Sequence, residues 1–231
     1  MRRRLLLLSP ALLAAPAPLR PALAQRAPGG GAPGAAAPGA TPGVPLAGAA
    51  RDAALQRVEA YLNGLVSLKA RFLQIAYNGA AAEGTAWIVR PGKMRFEYDP
   101  PEPLLMVASH GQFFYYDREL AQPTTVPVNS TPLGILLRAN LRLSGDITVS
   151  QVTRDSSVLR VTLYRTASPG EGRLTLVFSE NPMELKQWAV LDAQGRETRV
   201  SLSQTQVGGR FDDFLFEFND PRFQEELRGR R

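Results

Sequence analysis

Apolar and polar residues alternate with a period of two over most of this chain, from about Ser67 to Phe218. Such alternation is typical of β-strands that bury one face. The pattern predicts twelve strands, at residues 71–77, 85–90, 93–98, 104–109, 112–117, 120–126, 147–154, 158–165, 173–179, 185–192, 197–204 and 211–218. Glycine-containing turns such as His110-Gly111 and Gly208-Gly209 join neighbouring strands, so we expect antiparallel pairing in sequence order.

Helical signals occur at two places only. Apolar residues recur at helical spacing over residues 52–63, where Asp52 or the residue before it is expected to be the N-cap. Thr131-Pro132 predicts an N-cap followed by proline at the first helical position, ahead of Leu133, Ile135, Leu136 and Leu137. A long antiparallel sheet that curls, with helices across its open side, encloses an apolar space unless large side chains fill it. We therefore predict an α+β fold, an incomplete, half-open antiparallel barrel with helices covering an apolar cavity.

An arginine precedes the turn of the hairpin WIVRPGKMRFEY. Pro91-Gly92 has the residues that a type II turn requires, and alternation puts Arg90 on the same face as the apolar Ile88. Two interpretations remain open. Arg90 points to solvent or pairs with an acid, or it reaches inward to a carbonyl at a helix C-terminus, a favoured partner for a cation.

The N-terminal residues predict export. Arg2 to Arg4 precede a leucine- and alanine-rich run, and Ala22-Leu23-Ala24 fits a signal peptidase site, so we expect a signal peptide over residues 1–24, by the general or the twin-arginine route. Residues 25–50 are mostly Ala, Pro and Gly and are predicted to be a flexible linker. The folded domain is expected at residues 51–223, followed by a basic tail at 224–231.

Composition excludes several classes of function. The formal charge of +6 includes four arginines of the signal peptide, so the mature chain is near +2. Such a small net charge does not indicate a nucleic-acid-binding protein. Cysteine is absent, which excludes disulfides and zinc–thiolate sites. The sequence contains no P-loop, dinucleotide-binding or nucleophile-elbow motif. We read the single histidine, His110, as a turn residue, and Glu97 and Asp99 as partners of ion pairs. No enzyme activity, metal or cofactor is expected.

An ordered series of residues resembles a known family. The series is Phe72-x-Gln74, Gly84-x-x-Trp87-x-x-Arg90-Pro91-x-x-x-Arg95-Phe96-x-Tyr98, Pro103 with an apolar run to Ser109-x-Gly111, Tyr116-Asp117, Gln122, Thr131-Pro132, Asp192-x-x-Gly195 with Thr198, and Phe216-x-Phe218-x-x-Pro221. It covers about residues 55–223 and is similar to the LolA family of outer-membrane lipoprotein carriers. His110 in place of an acid, Pro123 after Gln122 and the Ala/Pro-rich linker depart from the family pattern, and we expect Pro123 to interrupt its strand.

The resemblance implies a function. It implies a monomeric periplasmic carrier of the acyl chains of lipoproteins, loaded by an inner-membrane ABC transporter complex and unloaded at an outer-membrane acceptor or the membrane. It implies that Arg90 gates a lid helix containing Leu133, Ile135, Leu136 and Leu137. The aromatic residues expected to line the acyl cavity, or else to form an ordinary core, are Trp87, Phe96, Tyr98, Phe114, Phe178, Phe214 and Phe216. A lipid- or glycolipid-binding or sensing module of the same fold, which does not shuttle lipoproteins, remains an alternative, and lipid hydrolysis a weaker one.

Overall fold

The computed structural model describes residues 43–117 and 122–217, which contain one antiparallel sheet and a few helices. The twelve strands of the sheet are Val44–Pro45 (β1), Ser67–Ile75 (β2), Ala81–Val89 (β3), Lys93–Tyr98 (β4), Leu104–Ser109 (β5), Gln112–Asp117 (β6), Gln122–Pro127 (β7), Ile147–Asp155 (β8), Val158–Arg165 (β9), Gly172–Glu180 (β10), Met183–Asp192 (β11) and Glu197–Val207 (β12). Their order is β1-β8-β9-β10-β11-β12-β2-β3-β4-β5-β6-β7. The predicted signal peptide, most of the linker, the tail and Phe218 lie outside the described residues.

One α-helix, Gly48–Gly64 (α1), packs on the sheet through Ala54, Leu55, Val58 and Leu62. The helix begins earlier than expected, and Asp52 is not its cap. The N-cap is Ala47, whose side chain has no oxygen to accept a hydrogen bond. In the part of the chain that the structure describes, no helix is long and apolar enough to cross a bilayer.

A short 3-10 helix, Pro132–Leu137, lies over the same face of the sheet and is called the covering helix below. As predicted, Thr131 caps it, because its hydroxyl accepts a hydrogen bond from the Gly134 amide at 3.1 Å. The four large apolar side chains of the covering helix, Leu133, Ile135, Leu136 and Leu137, are all buried. The face that α1 and the covering helix occupy is called the inner face.

The sheet curves strongly around its inner face. Three strands, β12, β2 and β3, separate β11 from β4 in the sheet order. In a flat sheet the outer two of these five strands would lie about 19 Å apart, at ~4.8 Å per step. Yet the rings of Phe96 on β4 and Trp188 on β11 are only 5.8 Å apart, in edge-to-face contact. The two halves of the sheet therefore meet across the interior.

Buried apolar side chains from the inner face, α1 and the covering helix form one continuous cluster. It includes fully buried residues from distant strands, such as Ile88, Leu163, Leu176 and Trp188. The space enclosed by the curved sheet is thus occupied by the protein's own side chains.

A second, smaller cluster lies on the outer face of β3, β5 and β6. Residues 211–217, called the outer segment, cross this face and bury Phe216 against Leu105, Val107 and Tyr116. We predicted a strand at 211–218, and this was wrong. Asp213–Phe216 is a 3-10 helix, because the Asp212 carboxylate caps it by accepting a hydrogen bond from the Phe214 amide at 3.0 Å.

The free edges of the sheet are β1 and β7. We expected Pro123 to interrupt its strand, but β7 runs on to Pro127 and pairs with β6 throughout. The amide of Val128 donates a hydrogen bond to the carbonyl oxygen of Gly111, which precedes β6. Amides of an antiparallel strand point alternately to its two sides, so the even-numbered amides of β7 face β6 and the odd-numbered ones face the free edge. Pro123 and Pro127 therefore lie at positions that need no ladder donor.

At the other edge, Val44 and Pro45 pair with Arg154 and Thr153 of β8. The predicted boundary at Ala50 between linker and domain was therefore too late in the chain. The antiparallel sheet itself is confirmed, and it is open. The half-open barrel with helices covering an apolar cavity stays a prediction.

Candidate functional site

Arg90 follows β3 and connects the sheet to the covering helix. Its Nη2 donates a 2.5 Å hydrogen bond to the carbonyl oxygen of Arg138, the residue that ends the covering helix. The turn adds a second link, because the amide of Gly92 donates to the Leu137 carbonyl at 3.0 Å. Arg90 is only 7% exposed. Burial lowers the pKa of its guanidinium below the usual value, and its Nε is buried without an acceptor.

A second arginine holds the opposite end of the covering helix. Arg165, the last residue of β9, donates from Nη2 to the Thr131 carbonyl oxygen at 2.6 Å. Its Nη1 pairs with Glu171 at 3.3 Å. Beside this contact Pro132 lies close to Gly172, where an added Cβ would come within 3.2 Å of the proline ring. Two guanidinium–carbonyl hydrogen bonds therefore fix the two ends of one short helix.

The chain after the covering helix is tied to α1. The Asn63 side chain donates to the Leu141 carbonyl at 3.0 Å and accepts from the Leu141 amide at 2.9 Å. The Glu59 carboxylate accepts from the Leu143 amide at 2.5 Å. These hydrogen bonds therefore attach the segment after the covering helix to α1.

The seven aromatic residues predicted for one cavity do not share a face. Phe96, Tyr98 and Phe178 belong to the inner cluster. Trp87, Phe114 and Phe216 belong to the outer cluster, and Phe214 is 58% exposed. Alternation explains the difference for the strand residues, since Trp87 pairs with Arg95 and Phe114 with Val107, whose side chains lie on the outer face. We therefore restrict the candidate inner lining to the first three and their neighbours.

Sequence reasoning missed several members of this inner surface. Phe72 contacts both Phe96 and Tyr98, with ring centroids 4.8 and 5.0 Å apart, and Trp188 contacts Phe96. Trp188 and Val190 are two residues apart on β11, a spacing that places both on one face, and both belong to the inner cluster. Arg165 carries no comparable signal, because an arginine at a strand end is ordinary.

Polar groups are also present on the inner face. The Tyr98 hydroxyl donates to Gln74 Oε1 at 2.8 Å. Burial, with the nearby Tyr115 as a smaller cause, raises the pKa of Tyr98 far above its usual value, so the hydroxyl remains a donor. The Trp188 Nε1 and the Tyr115 hydroxyl are buried and have no hydrogen-bond partner in the part of the chain that the structure describes.

A cleft of about 340 Å³ lies beside the C-terminal end of the covering helix. Its walls include Pro91, His110, Asn129 and Arg138. His110 lies in the β5–β6 turn with φ 50°, and its Nδ1 is 3.0 Å from the Ser109 hydroxyl.

The remaining candidates for acid–base or metal chemistry are engaged in ion pairs. Glu97 accepts hydrogen bonds from Arg95, and Asp99 from Arg71. Among residues 43–117 and 122–217, no group of three or more His, Asp or Glu side chains could hold a metal ion.

Known proteins resemble this chain in sequence. An outer-membrane lipoprotein carrier protein from Methylococcus capsulatus is 26% identical over 184 residues, covering 76% of this chain and 88% of the relative. One of the same name from Chromobacterium violaceum is 27% identical over 192 residues, covering 80% and 92%. The crystal structure of a LolA superfamily protein from Nitrosomonas europaea aligns with a TM-score of 0.43 and 9% identity, over 71% of this chain and 98% of that one.

The family model described as "Outer membrane lipoprotein carrier protein LolA" matches residues 63–219, more than half of the chain. That span runs from the end of α1 through every strand from β2 to β12 and into the outer segment. It contains Arg90, Arg165 and the covering helix. The chain belongs to the LolA family.

Proposed function

We propose that this protein is a periplasmic carrier that holds the acyl chains of lipoproteins against the inner face of its sheet. Membership of the LolA family carries the proposal, because family relatives are named lipoprotein carriers. The inner face suits such cargo, since it is built almost entirely from large apolar side chains. Each methylene transferred from water to such a surface contributes about 0.8 kcal/mol, so a molecule with several long chains needs a container to cross an aqueous compartment.

In this proposal the interior filled by the protein's own side chains is the closed state. The contact between Phe96 and Trp188 bridges it, and the leucines of the covering helix fill it. Acyl chains therefore enter only if the covering helix moves away and these rings separate. In this proposal the half-closed barrel with an open cavity is the loaded form, and the covering helix is its lid.

Arg90 and Arg165 act as the latches of the lid. A hydrogen bond from a charged donor contributes roughly 1.5–3 kcal/mol net. Two of them bias the lid toward closure, and the burial of acyl chains is large enough to overcome that bias. Release follows when an acceptor binds the cargo more tightly than the carrier does. Loading by an inner-membrane ABC transporter complex, and delivery to an acceptor or to the outer membrane itself, complete the proposed route.

The test is native mass spectrometry of the exported protein, comparing wild type with Arg90→Leu. We expect the wild type to co-purify with acylated lipoprotein and to release it on mixing with outer-membrane vesicles. Arg90→Leu should retain more cargo, because its closed state has lost a latch. Arg199→Leu is the matched control, since this exposed arginine pairs with Glu197 in the same strand and should behave as wild type.

Two results would contradict the proposal. Recovery of a glycolipid or another amphiphile, with no lipoprotein on any variant, would leave the fold as a lipid-binding module that does not shuttle lipoproteins. Equal cargo retention by Arg90→Leu and Arg199→Leu would remove the latch role of Arg90.

A further inference from the structure

Trp188 presents a hydrogen-bond donor to the apolar interior with nothing to receive it. The residue is 0% exposed, and its indole Nε1 has no acceptor among residues 43–117 and 122–217. A buried indole N–H usually finds a partner, because an unpaired donor loses its hydrogen bond to water without replacement. An orphaned donor in a native core therefore calls for an explanation, such as a ligand absent from the structure.

The position of Trp188 points to a ligand in the interior. The indole lies on the inner face of β11 and touches Phe96 across the space between the two halves of the sheet. This is the contact that must open when acyl chains enter. The chains would then pass directly beside the unpaired N–H.

A second unpaired donor lies on the same inner face. Tyr115 on β6 is opposite Met106, which is opposite Phe96, so all three share one cross-strand row. Its hydroxyl is buried without a partner, and burial raises the pKa of Tyr115, which keeps the hydroxyl protonated. Phe96 therefore has an unpaired donor on each side, Trp188 across the interior and Tyr115 along the sheet.

We propose that the inner face contains a polar subsite in which the Trp188 indole N–H donates a hydrogen bond to an ester carbonyl of the acylated cargo. This inference rests on the proposed carrier function and names the part of the cargo that is recognised. Acyl esters bring carbonyl oxygens into the apolar interior together with their chains. Tyr115 is the matching donor for a second ester carbonyl of the same diacyl group.

The chemistry of the surroundings favours a neutral carbonyl over other acceptors. A charged phosphate or carboxylate would be costly to bury among apolar side chains without a cation. A trapped water needs two to four polar partners, and the Phe96 ring that touches Trp188 offers none. A carbonyl needs only one donor, and its own chain fills the neighbouring apolar space.

The test uses two synthetic lipopeptides that differ only in their linkages, an S-diacylglyceryl-cysteine peptide and its dialkyl ether analogue. The ¹⁵N-labelled full chain is titrated with each, and the indole N–H resonances of Trp87 and Trp188 are followed by NMR. Trp87→Phe assigns the two signals, and Trp87 lies on the outer face, away from the proposed subsite. Hydrogen bonding deshields the indole proton, so we expect a downfield shift of Trp188 with the ester and a smaller shift with the ether.

Affinity gives the second readout. The ester should bind about twofold to tenfold more tightly than the ether for each hydrogen bond made, the range expected for one net hydrogen bond. Trp188→Phe should lower that preference while still binding both ligands, the further change Tyr115→Phe should abolish it, and Trp87→Phe should keep it. The preference is the ratio of two affinities measured on the same variant. A general loss of stability in Trp188→Phe lowers both affinities alike and leaves this ratio unchanged.

The possible failures are distinguishable. If both ligands bind equally and shift the Trp188 N–H alike, the polar subsite is wrong while the carrier function stands. If the N–H is already hydrogen-bonded in the free protein and does not respond, an internal water is its partner and the subsite is again wrong. If neither ligand binds, the carrier function itself fails and the subsite fails with it.

Discussion

Two buried arginines near the first hairpins serve opposite faces of the sheet. Arg90 reaches the carbonyl at the end of the covering helix. Arg95, 2% exposed, donates to the Leu215 carbonyl of the outer segment at 3.1 Å and to the Glu97 carboxylate at 2.9 Å. One arginine thus holds the covering helix over the inner face, and the other holds the outer segment over the outer face.

Removal of the buried Arg95 should be costly. In Arg95→Met the Leu215 carbonyl and the Glu97 carboxylate lose their donor, and we expect a loss of about 3 kcal/mol in the free energy of unfolding. Urea denaturation measures it. Arg199→Met removes an exposed arginine that also pairs with a glutamate two residues away on its strand, and it should change stability by less than about 1 kcal/mol. Similar losses in both variants would contradict the role assigned to Arg95.

The ion pair of Arg71 and Asp99 predicts a small pH effect. The hydrogen bond from Arg71 lowers the pKa of Asp99 below its usual value. A carboxyl group whose pKa is lower in the folded protein stabilises the fold above its unfolded pKa, near 3.9, and this contribution disappears as pH falls through the folded pKa. Both side chains are partly exposed, so we expect at most about 1 kcal/mol.

The measurement compares urea denaturation of wild type and Asp99→Asn at pH 7 and below pH 3. The wild type should be the more stable at pH 7, and the difference should shrink in acid. A difference that stays constant with pH would mean that the ion pair contributes nothing.

Sequence reasoning gave the face of Arg90, left its partner open, and identified only part of the inner lining. The face of Arg90 followed from alternation in one hairpin, because its neighbour Ile88 is buried. Phe114 and Phe216 were assigned to the wrong face of the sheet. The sequence pattern of a buried aromatic residue is the same whether it faces the interior or the outer segment. The outer segment is held by the cap at Asp212 and by Arg95, which is far away in sequence. Local sequence patterns cannot reveal a contact between such distant residues.

At the scale of elements, the covering helix depends on one small residue. A Cβ built on Gly134 would lie 2.1 Å from the carbonyl oxygen of Val128. The helix can therefore lie this close to the preceding turn only because position 134 has no side chain.

Gly134→Ala should weaken the closed position of the covering helix. We expect more binding of a fluorescent apolar dye to the empty protein, because the inner face becomes accessible, and faster uptake of cargo. Gly64→Ala, where an added Cβ meets nothing within 4 Å, is the control and should match the wild type. Unchanged dye binding in Gly134→Ala would contradict a covering helix that moves as a lid.

The strands were the most predictable elements. Residues 93–98, 104–109, 112–117 and 158–165 have the predicted limits, because alternation and turn residues agree there. The limits of the other elements depend on tertiary partners. Val44–Pro45 illustrates this near the N-terminus, where a proline- and glycine-rich stretch pairs with the edge of β8 although its composition indicates a linker.

At the scale of the whole molecule, an open sheet must protect its edges against pairing with another chain. On β7 the odd-numbered positions face outward, and two of them, Pro123 and Pro127, have no N–H to offer. Pro123, which departs from the family pattern, and Pro127 therefore leave fewer donors on the free edge for pairing with another chain.

Replacing both prolines should promote self-association. Pro123→Thr with Pro127→Thr restores two outward N–H groups on the edge, and we expect dimers or larger species at high concentration in size-exclusion chromatography with light scattering. Thr124→Val, on the same strand but with its amide toward β6, is the control. A monomeric double variant would show that the free edge is protected by other means.

The filled interior has a calorimetric consequence. Burial of apolar surface lowers the heat capacity by about 0.45 cal/mol/K for each Å². In a carrier whose empty pocket is filled with water, cargo binding would lower the heat capacity by the full amount expected for the apolar surface buried. In the proposed function, acyl chains replace leucines of the covering helix that are already out of water, and those leucines become exposed as the lid opens. The heat-capacity change on loading should therefore be far smaller than the chain length implies, as in an exchange of one internal occupant for another.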